Sequence, residues 1–244
     1  MFMKTILTIT LILSFFSASY AQGIMKTRMP GLSEDAPAFK AKSTMGEIDF
    51  PGDYYGKWVI IFSHPAAFTP VCTTELLELA YLQDEFSEIN TKLIVLSTDG
   101  LNSHIEWTKS MEEINYFDRE KVKIKYPIVA DNGYDISKKY GMIHPESNST
   151  KDVRAVFIIN PENKIRSIFV YPMEVGRNID EILRTLTALQ QAEKNDILTP
   201  ANWKKGEDVL VMSPESMKEA EKMKKKPQEG MYSLDWYLWY KKTK

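Results

Sequence analysis

The chain has 244 residues but a single cysteine, Cys72, and only three histidines. One cysteine excludes an internal disulfide framework and a zinc site built from several thiolates. The histidines are few and irregularly spaced, so they do not supply a metal site in its place. We therefore expect no metal and no bound cofactor, and a core that is held together by packing alone.

An excess of charge of one sign is also missing, since 31 Lys and Arg residues nearly balance 33 Asp and Glu residues. This balance gives no indication of binding to nucleic acid or to an anionic membrane surface. Long apolar runs are absent beyond the N-terminus, so no later segment is expected to cross a bilayer. We predict a protein without a nucleic-acid partner.

The first residues have the three parts of a secretory signal peptide. Lys4 supplies a positive charge, residues 6–16 are apolar, and residues 19–21 read Ser-Tyr-Ala, a small-residue cleavage signal. The apolar stretch is shorter than the ~20 residues that span a bilayer, which argues against the alternative of a membrane anchor. We predict a signal peptide over residues 1–21 and an exported protein, either periplasmic or extracellular.

Strand-like and helix-like segments alternate along the next part of the chain. Short apolar, β-branched runs predict strands at residues 58–63, 93–97, 155–159 and 165–170. Apolar residues at helical spacing predict helices over residues 73–86, 101–117 and 178–194. Glu75 is expected in the first turn of the first helix, where the helix dipole stabilises its negative charge. Asn178 is expected to cap the last helix, and Glu181 to complete a capping box with it. This order predicts an α/β sandwich around a mixed central sheet.

The composition changes from Thr199-Pro200 onward. A short strand is predicted at residues 209–212, a lysine-rich helix at residues 215–226, and an aromatic tail follows at residues 232–240. A tail this rich in Trp and Tyr is poorly suited to disorder, so we expect it to dock on a neighbouring subunit or on its own core. We predict that residues 196–244 form a small α+β extension.

Cys72 lies after the first predicted strand and at the start of the first predicted helix. The free N–H groups and positive dipole end of a helix favour a thiolate, but an exposed dipole contributes only ~0.3–1 kcal/mol. A second cation is needed, and Arg154 and Arg177 are the candidates because each lies at the start of a predicted element. Thr69 offers a hydroxyl three residues before Cys72, and Pro65 stiffens the approach.

A lone cysteine also has less specialised roles, and the residue pattern alone leaves them open. Most free cysteines are simply small buried hydrophobes. Dithiol exchange of the thioredoxin type needs a second cysteine, which Cys72-Thr-Thr-Glu75 lacks. A cysteine protease needs a histidine base and an orienting group; His64 is near in sequence, but nothing else in the pattern supports acyl transfer.

The segment His64-Pro-Ala-Ala-Phe-Thr-Pro-Val-Cys-Thr-Thr-Glu75 resembles the active-site signature of the peroxiredoxins. It is most similar to the one-cysteine group with a long C-terminal extension. The resemblance continues through residues 152–159, 176–178 and 200–203, and so covers almost the whole mature chain. It implies a thioredoxin-like fold over residues 28–195, followed by the dimerisation segment at residues 196–244.

The resemblance also implies a function, the reduction of hydrogen peroxide and organic hydroperoxides by a peroxidatic thiolate at Cys72 that becomes a sulfenic acid. Thr69 and the Cys72 N–H would hold the peroxide, Arg154 would stabilise the thiolate and the developing charge, and Pro65 would exclude water.

His64 and Arg177 would line the peroxide pocket. Plain packing is the alternative for His64, and a surface ion pair is the alternative for Arg177.

With no other cysteine in the chain, the sulfenic acid must be resolved by an external thiol, either a thioredoxin-like protein or a low-molecular-weight thiol. The expected assembly is a homodimer or a larger ring of dimers. Two other functions compatible with the fold are an oligomeric holdase or structural protein and a disulfide reductase.

Overall fold

The structure is a computed structural model that describes residues 28–143 and 150–243. Seven strands in this part of the chain lie in one mixed sheet: β1 (Phe39–Ser43), β2 (Gly46–Phe50), β3 (Trp58–Ser63), β4 (Thr91–Ser97), β5 (Ile128–Ala130), β6 (Arg154–Ile159) and β7 (Ile165–Tyr171). Their spatial order is β2-β1-β5-β4-β3-β6-β7. Strand β4 is parallel to β3 and β5, whereas β6 is antiparallel to both β3 and β7.

Five α-helices accompany the strands in the described residues: α1 (Pro70–Glu88), α2 (Leu101–Glu112), α3 (Asp135–Lys139), α4 (Ile179–Asn195) and α5 (Met217–Lys225). Side chains of the central strands alternate between the two faces of the sheet. Along β3, Ile60 and Phe62 pack in a cluster with α1 and α4, whereas Val59 and Ile61 pack in a second cluster on the other face. Both faces of β3 are therefore covered, which explains why the strand is apolar throughout.

The C-terminal residues form a second, smaller sheet. Strands β8 (Val209–Leu210), β9 (Met231–Asp235) and β10 (Leu238–Lys241) lie in the order β8-β10-β9. Trp203 and Val209 pack with Ala188 of α4 in a small apolar cluster, which joins this extension to the rest of the chain. The predicted aromatic tail is thus a hairpin, and its Trp239 is buried.

The predicted fold class, a thioredoxin-like α/β sandwich with a mixed sheet and a small C-terminal α+β extension, is confirmed. The first four predicted strands and the last helix of the sandwich are found within two residues of their predicted ends. Asn178 caps α4 by accepting a hydrogen bond from the Glu181 N–H. The Glu181 carboxylate binds Arg184 and Thr185 instead of completing a capping box.

Two predictions about elements need correction. The helix predicted over residues 101–117 ends at Glu112, and its predicted last residue, Phe117, adopts a positive φ that a right-handed helix does not allow. Strand β1, the edge strand β2 and the three-residue β5 were not predicted. The boundary between residues 195 and 196 stays a prediction, although α4 ends there and Asp196 is left-handed.

Among the described residues, no helix combines the length and the apolar character needed to cross a membrane. The predicted signal peptide at residues 1–21 lies outside the described residues.

Candidate active site

The cysteine lies where a buried strand gives way to a helix. Thr69 is the N-cap of α1 in an extended conformation, and Pro70 follows at the first helical position, where its missing N–H costs nothing. The first backward hydrogen bond of the helix runs from the Thr73 N–H to the Thr69 carbonyl, at 3.0 Å. The Cys72 N–H, one residue earlier, therefore has no partner within the helix. The Cys72 side chain is fully buried.

Arg154 is the cation beside the thiol. It is the first residue of β6, and its Nη1 donates to Cys72 Sγ at 3.3 Å. The same Nη1 donates to Glu75 Oε2 at 2.7 Å, and Nε donates to the Met173 carbonyl at 2.8 Å. Three acceptors thus fix the guanidinium, which is only 3% exposed. Two segments distant in sequence are brought together here, as the predicted pairing of Arg154 with Cys72 requires.

Glu75 has a different position from the one expected for it. Because α1 begins at Pro70, Glu75 lies in the second turn, three residues after Cys72 and on the same face of the helix. Its carboxylate is 2% exposed and lies between two arginines, Arg154 and Arg177. The interpretation of Glu75 as a partner of the helix dipole is wrong, since the carboxylate is buried in an ion-pair network.

Arg177 closes the other side of this network. Its backbone N–H and Nε donate to Glu75 Oε1, and Nη2 donates to Oε2, all at 2.8 Å. Nη1 donates to the carbonyls of Ser63 and Ala155, and the guanidinium lies over the Phe62 ring, 3.4 Å from its centroid. Burial lowers the pKa of Arg177, and the adjacent Glu75 carboxylate opposes that shift. The alternative of a surface ion pair is wrong, because Arg177 is only 6% exposed.

The formal charges of this buried cluster leave one net positive charge beside the Cys72 sulfur. Arg154 and Arg177 carry two positive charges and Glu75 carries one negative charge, so one positive charge remains while Cys72 is protonated. A thiolate at Cys72 brings the total of the four groups to zero. Uncompensated buried charge is costly, so the arginines can compensate negative charge that develops beside them at this site.

The loop before the helix holds the remaining predicted residues. Thr69 is half-buried, and its hydroxyl donates to the Ala66 carbonyl at 2.9 Å, so the lone pairs of Oγ1 remain able to accept a hydrogen bond. Pro65 is buried between the end of β3 and this turn. Both residues therefore lie on the short path from the strand to the cysteine.

His64 is fully buried and packs between two aromatic rings. Its ring centroid is 5.0 Å from that of Trp107 and 5.8 Å from that of His104. Burial, and then the neighbouring His104 and Arg177, lower the pKa of His64 well below its ordinary value, and burial lowers the pKa of His104 to about 4. Both rings are neutral at pH 7, so the positive charge at the site comes from the arginines. These contacts favour the packing alternative for His64.

Sequence reasoning missed Glu75 as a site residue, although a signal was present. The spacing Cys72-x-x-Glu75 places both side chains on one helix face, and Arg154 and Arg177 are the two cations expected near the thiol. A carboxylate on the cysteine face of the helix is the group that can bind both arginines.

Comparisons with known proteins agree with this geometry. Residues 32–168 match the model of the AhpC/TSA family, and residues 188–226 match the C-terminal domain of 1-Cys peroxiredoxin. A peroxiredoxin of Methanosarcina mazei is 50% identical over 215 residues, which cover 88% of this chain and 98% of that one. A peroxiredoxin of Aquifex aeolicus is 41% identical over 225 residues, with 88% and 98% covered.

Solved structures give the same result. The yeast mitochondrial 1-Cys peroxiredoxin, studied for thiol resolution via glutathione/thioredoxin systems, is similar with a TM-score of 0.76 and 37% identity, covering 88% of this chain and all of that one. A mutant of peroxiredoxin 6 of Arenicola marina has the same TM-score at 34% identity, covering 88% and 99%. With its single buried cysteine beside an arginine, the chain belongs to the peroxiredoxin family and is a thiol-dependent peroxidase.

Proposed function

We propose that Cys72 is the peroxidatic thiolate and that Arg154, Glu75 and Arg177 hold it in its reactive form. The observation that carries this proposal is the shared Nη1 of Arg154, 3.3 Å from Cys72 Sγ and 2.7 Å from Glu75 Oε2. A guanidinium held by a buried carboxylate cannot swing away from the sulfur. It therefore stabilises negative charge without reorganising during the reaction.

The chemical step follows from this arrangement. The Cys72 sulfur attacks the terminal oxygen of a hydroperoxide, so that an S–O bond forms while the O–O bond breaks. The sulfur is oxidised to a sulfenic acid, and the departing alkoxide or hydroxide takes up a proton and leaves as an alcohol or water. Arg154 and the free Cys72 N–H face the charge that develops on the oxygens.

Thr69 and Pro65 orient and enclose the peroxide in this proposal. The Thr69 hydroxyl donates to the Ala66 carbonyl, so its oxygen is free to accept a hydrogen bond from the hydroperoxide O–H. Pro65 has no N–H and is buried, which limits the water that reaches the sulfur. Arg177 was expected to line the pocket, but its side chain binds the Glu75 carboxylate, so its proposed role is to position Glu75.

The sulfenic acid is returned to the thiol by an external thiol, because the sequence contains no second cysteine. One thiol condenses with the sulfenic acid, which forms a mixed disulfide and releases water, and a second thiol then reduces that disulfide. The yeast relative is resolved via glutathione/thioredoxin systems, which supports either a low-molecular-weight thiol or a thioredoxin-like protein as the reductant here.

Mixed-disulfide trapping tests this part of the proposal. Protein oxidised with one equivalent of hydrogen peroxide is mixed with glutathione, or with a thioredoxin whose second active-site cysteine is changed to serine. We expect an adduct on Cys72 with at least one of them, and none with Cys72→Ser. Recovery of the thiol in buffer alone, or oxidised protein that neither reagent attacks, would contradict the proposal.

A homodimer held by residues 196–244 is the proposed assembly, with a ring of dimers as its larger form. The hairpin β9–β10 exposes Leu234, Trp236 and Tyr237 by 69%, 59% and 48% of their surfaces. Apolar side chains grouped at this exposure mark an interaction surface. Strand β7 is an edge of the main sheet and offers further unpaired backbone groups.

Light scattering after gel filtration measures this assembly. Wild type should have the mass of two chains or a multiple of two, and Trp236→Glu should shift it toward the monomer because a charge enters the apolar surface. Tyr55→Glu is the matched control, since Tyr55 is 89% exposed but lies in the turn between β2 and β3, outside the C-terminal hairpin. A monomeric wild type, or a Trp236→Glu variant that assembles as wild type does, would refute the assignment.

Export is proposed from the pattern of residues 1–21 alone. The natural host should release the mature chain outside the cytoplasm, with an N-terminus at Gln22. Edman sequencing of the protein from fractionated cells gives that N-terminus directly. Full-length protein in the cytoplasm would refute export.

A further inference from the structure

The turn before the active-site helix has a conformation that its own sequence does not favour. Phe68 adopts a φ of 56°, in the left-handed region that L-residues other than glycine, asparagine and aspartate rarely occupy. Its ring is 58% exposed, so burial of the side chain does not account for the conformation. Contacts elsewhere must hold this turn, and the direction of the Thr69 hydroxyl depends on it.

The side chain that holds the turn from outside is Asp99. The Ala67 N–H donates to Asp99 Oδ2 at 2.6 Å, from a residue 32 positions away in the sequence. The neighbouring Ala66 carbonyl is the acceptor for the Thr69 hydroxyl. A short chain of bonds thus leads from Asp99, through the backbone of the turn, to the residue proposed to bind the peroxide.

Asp99 is itself fixed by the end of β4. Its backbone N–H donates to Ser97 Oγ at 3.2 Å, and Ser97 Oγ lies 3.3 Å from Asp99 Oδ2. Ser97 Oγ is also 2.9 Å from His104 Nε2 in α2. The ordinary function of an aspartate at this place would be to cap α2, but its N-cap is Gly100 and no side chain caps it. The carboxylate binds the turn instead.

We propose that Asp99 is a positioning residue for peroxide activation, which sets the Ala66–Phe68 turn and through it the Thr69 hydroxyl. This inference rests on the proposed function of Thr69 and Cys72. Asp99 takes no part in the hydrogen bonds that hold Arg154 and Glu75 around the sulfur. It therefore orients the peroxide without contributing to the reactivity of the thiolate, and the two effects are separable.

Two rate constants measured on the same variants test this separation. The first is the second-order rate with hydrogen peroxide, and the second is the rate of Cys72 alkylation by iodoacetamide, which needs the thiolate but not Thr69. For Asp99→Ala we expect the peroxide rate to fall ~10–100-fold, as small misplacements of a reacting group do, while alkylation stays within about twofold. Asp99→Asn should retain most of the peroxide rate, since its amide oxygen still accepts the Ala67 N–H.

Three outcomes would overturn the proposal. These are an unchanged peroxide rate in Asp99→Ala, an equal fall of both rates in that variant, and an Asp99→Asn variant as slow as Asp99→Ala. If Asp99→Ala does not fold, Asp99→Ser takes its place, because its shorter side chain does not reach the Ala67 N–H. The ratio of the peroxide rate to the alkylation rate should then fall in Asp99→Ser as it does in Thr69→Val, and an unchanged ratio in Asp99→Ser would overturn the proposal. A wild type that consumes no peroxide would instead refute the proposed function itself.

Discussion

Peroxide consumption by Cys72→Ser falls to the level of the buffer, a loss of at least ~10³-fold, while the fold is retained. The serine hydroxyl has nearly the shape of the thiol but does not ionise near neutral pH, so the nucleophile is removed without leaving a cavity. The buried Arg154 Nη1 still has Glu75 as its acceptor, so no buried donor is left unpaired. Stopped-flow measurement of hydrogen peroxide and cumene hydroperoxide in the presence of a thiol gives the rates.

Met45→Leu is the matched control for this experiment. Met45 is 52% exposed and is itself oxidisable, so the variant shows how much peroxide a surface thioether consumes. Its rate should equal that of wild type. Equal rates in wild type and Cys72→Ser, or no consumption in either, would refute the peroxidase function and leave the holdase or structural alternative.

Arg154→Gln lowers both the peroxide rate and the alkylation rate of Cys72 at pH 7 by ~10²–10³-fold. In this variant the charges of Arg177 and Glu75 already balance, so negative charge on Cys72 Sγ would be buried without a compensating cation. Arg154→Lys keeps the charge but not the fork that reaches Sγ, Glu75 and the Met173 carbonyl together. It should recover part of the alkylation rate and less of the peroxide rate.

Arg119→Gln controls for the loss of an arginine–glutamate pair. Arg119 binds Glu78 of the same helix α1, but at the surface and away from the cysteine. Surface pairs contribute little to stability, and both rates should stay within about twofold of wild type. A normal alkylation rate in Arg154→Gln would show that the arginine does not stabilise the thiolate.

Much of the sheet was predictable from the sequence because its central strands are buried on both faces. Residues such as Ile60, Ile61 and Ile94 form continuous β-branched runs, which are typical of strands covered on both sides. The hairpin β1–β2 was missed because one of its faces meets water. The available signal was the alternation of apolar and charged residues in Phe39-Lys-Ala41 and in Ile48-Asp-Phe50. This signal was weak because each strand is only five residues long.

The sequence predicted the contiguous part of the site but not the contacts between residues distant in the chain. The turn from Pro65 to Cys72 is contiguous, and the resemblance to a family signature named its residues. The pairing of Glu75 with Arg154 and Arg177 joins positions 79 and 102 residues apart. The spacing Cys72-x-x-Glu75 indicates that Glu75 lies on the helix face of the cysteine, but no local pattern indicates which residues its carboxylate binds. Asp99 was missed for the same reason, since its bond to Ala67 exists only after β3 and β4 pair in parallel.

The most direct test of the central claim is the intact mass of the protein after one equivalent of hydrogen peroxide without any thiol. A mass increase of about 16 Da should appear, located at Cys72 by peptide mapping, trapped by dimedone and reversed when thiol is added. Cys72→Ser should show no such increase. Oxygen found on methionines with Cys72 unmodified, or oxidised Cys72 that no thiol restores, would contradict the account.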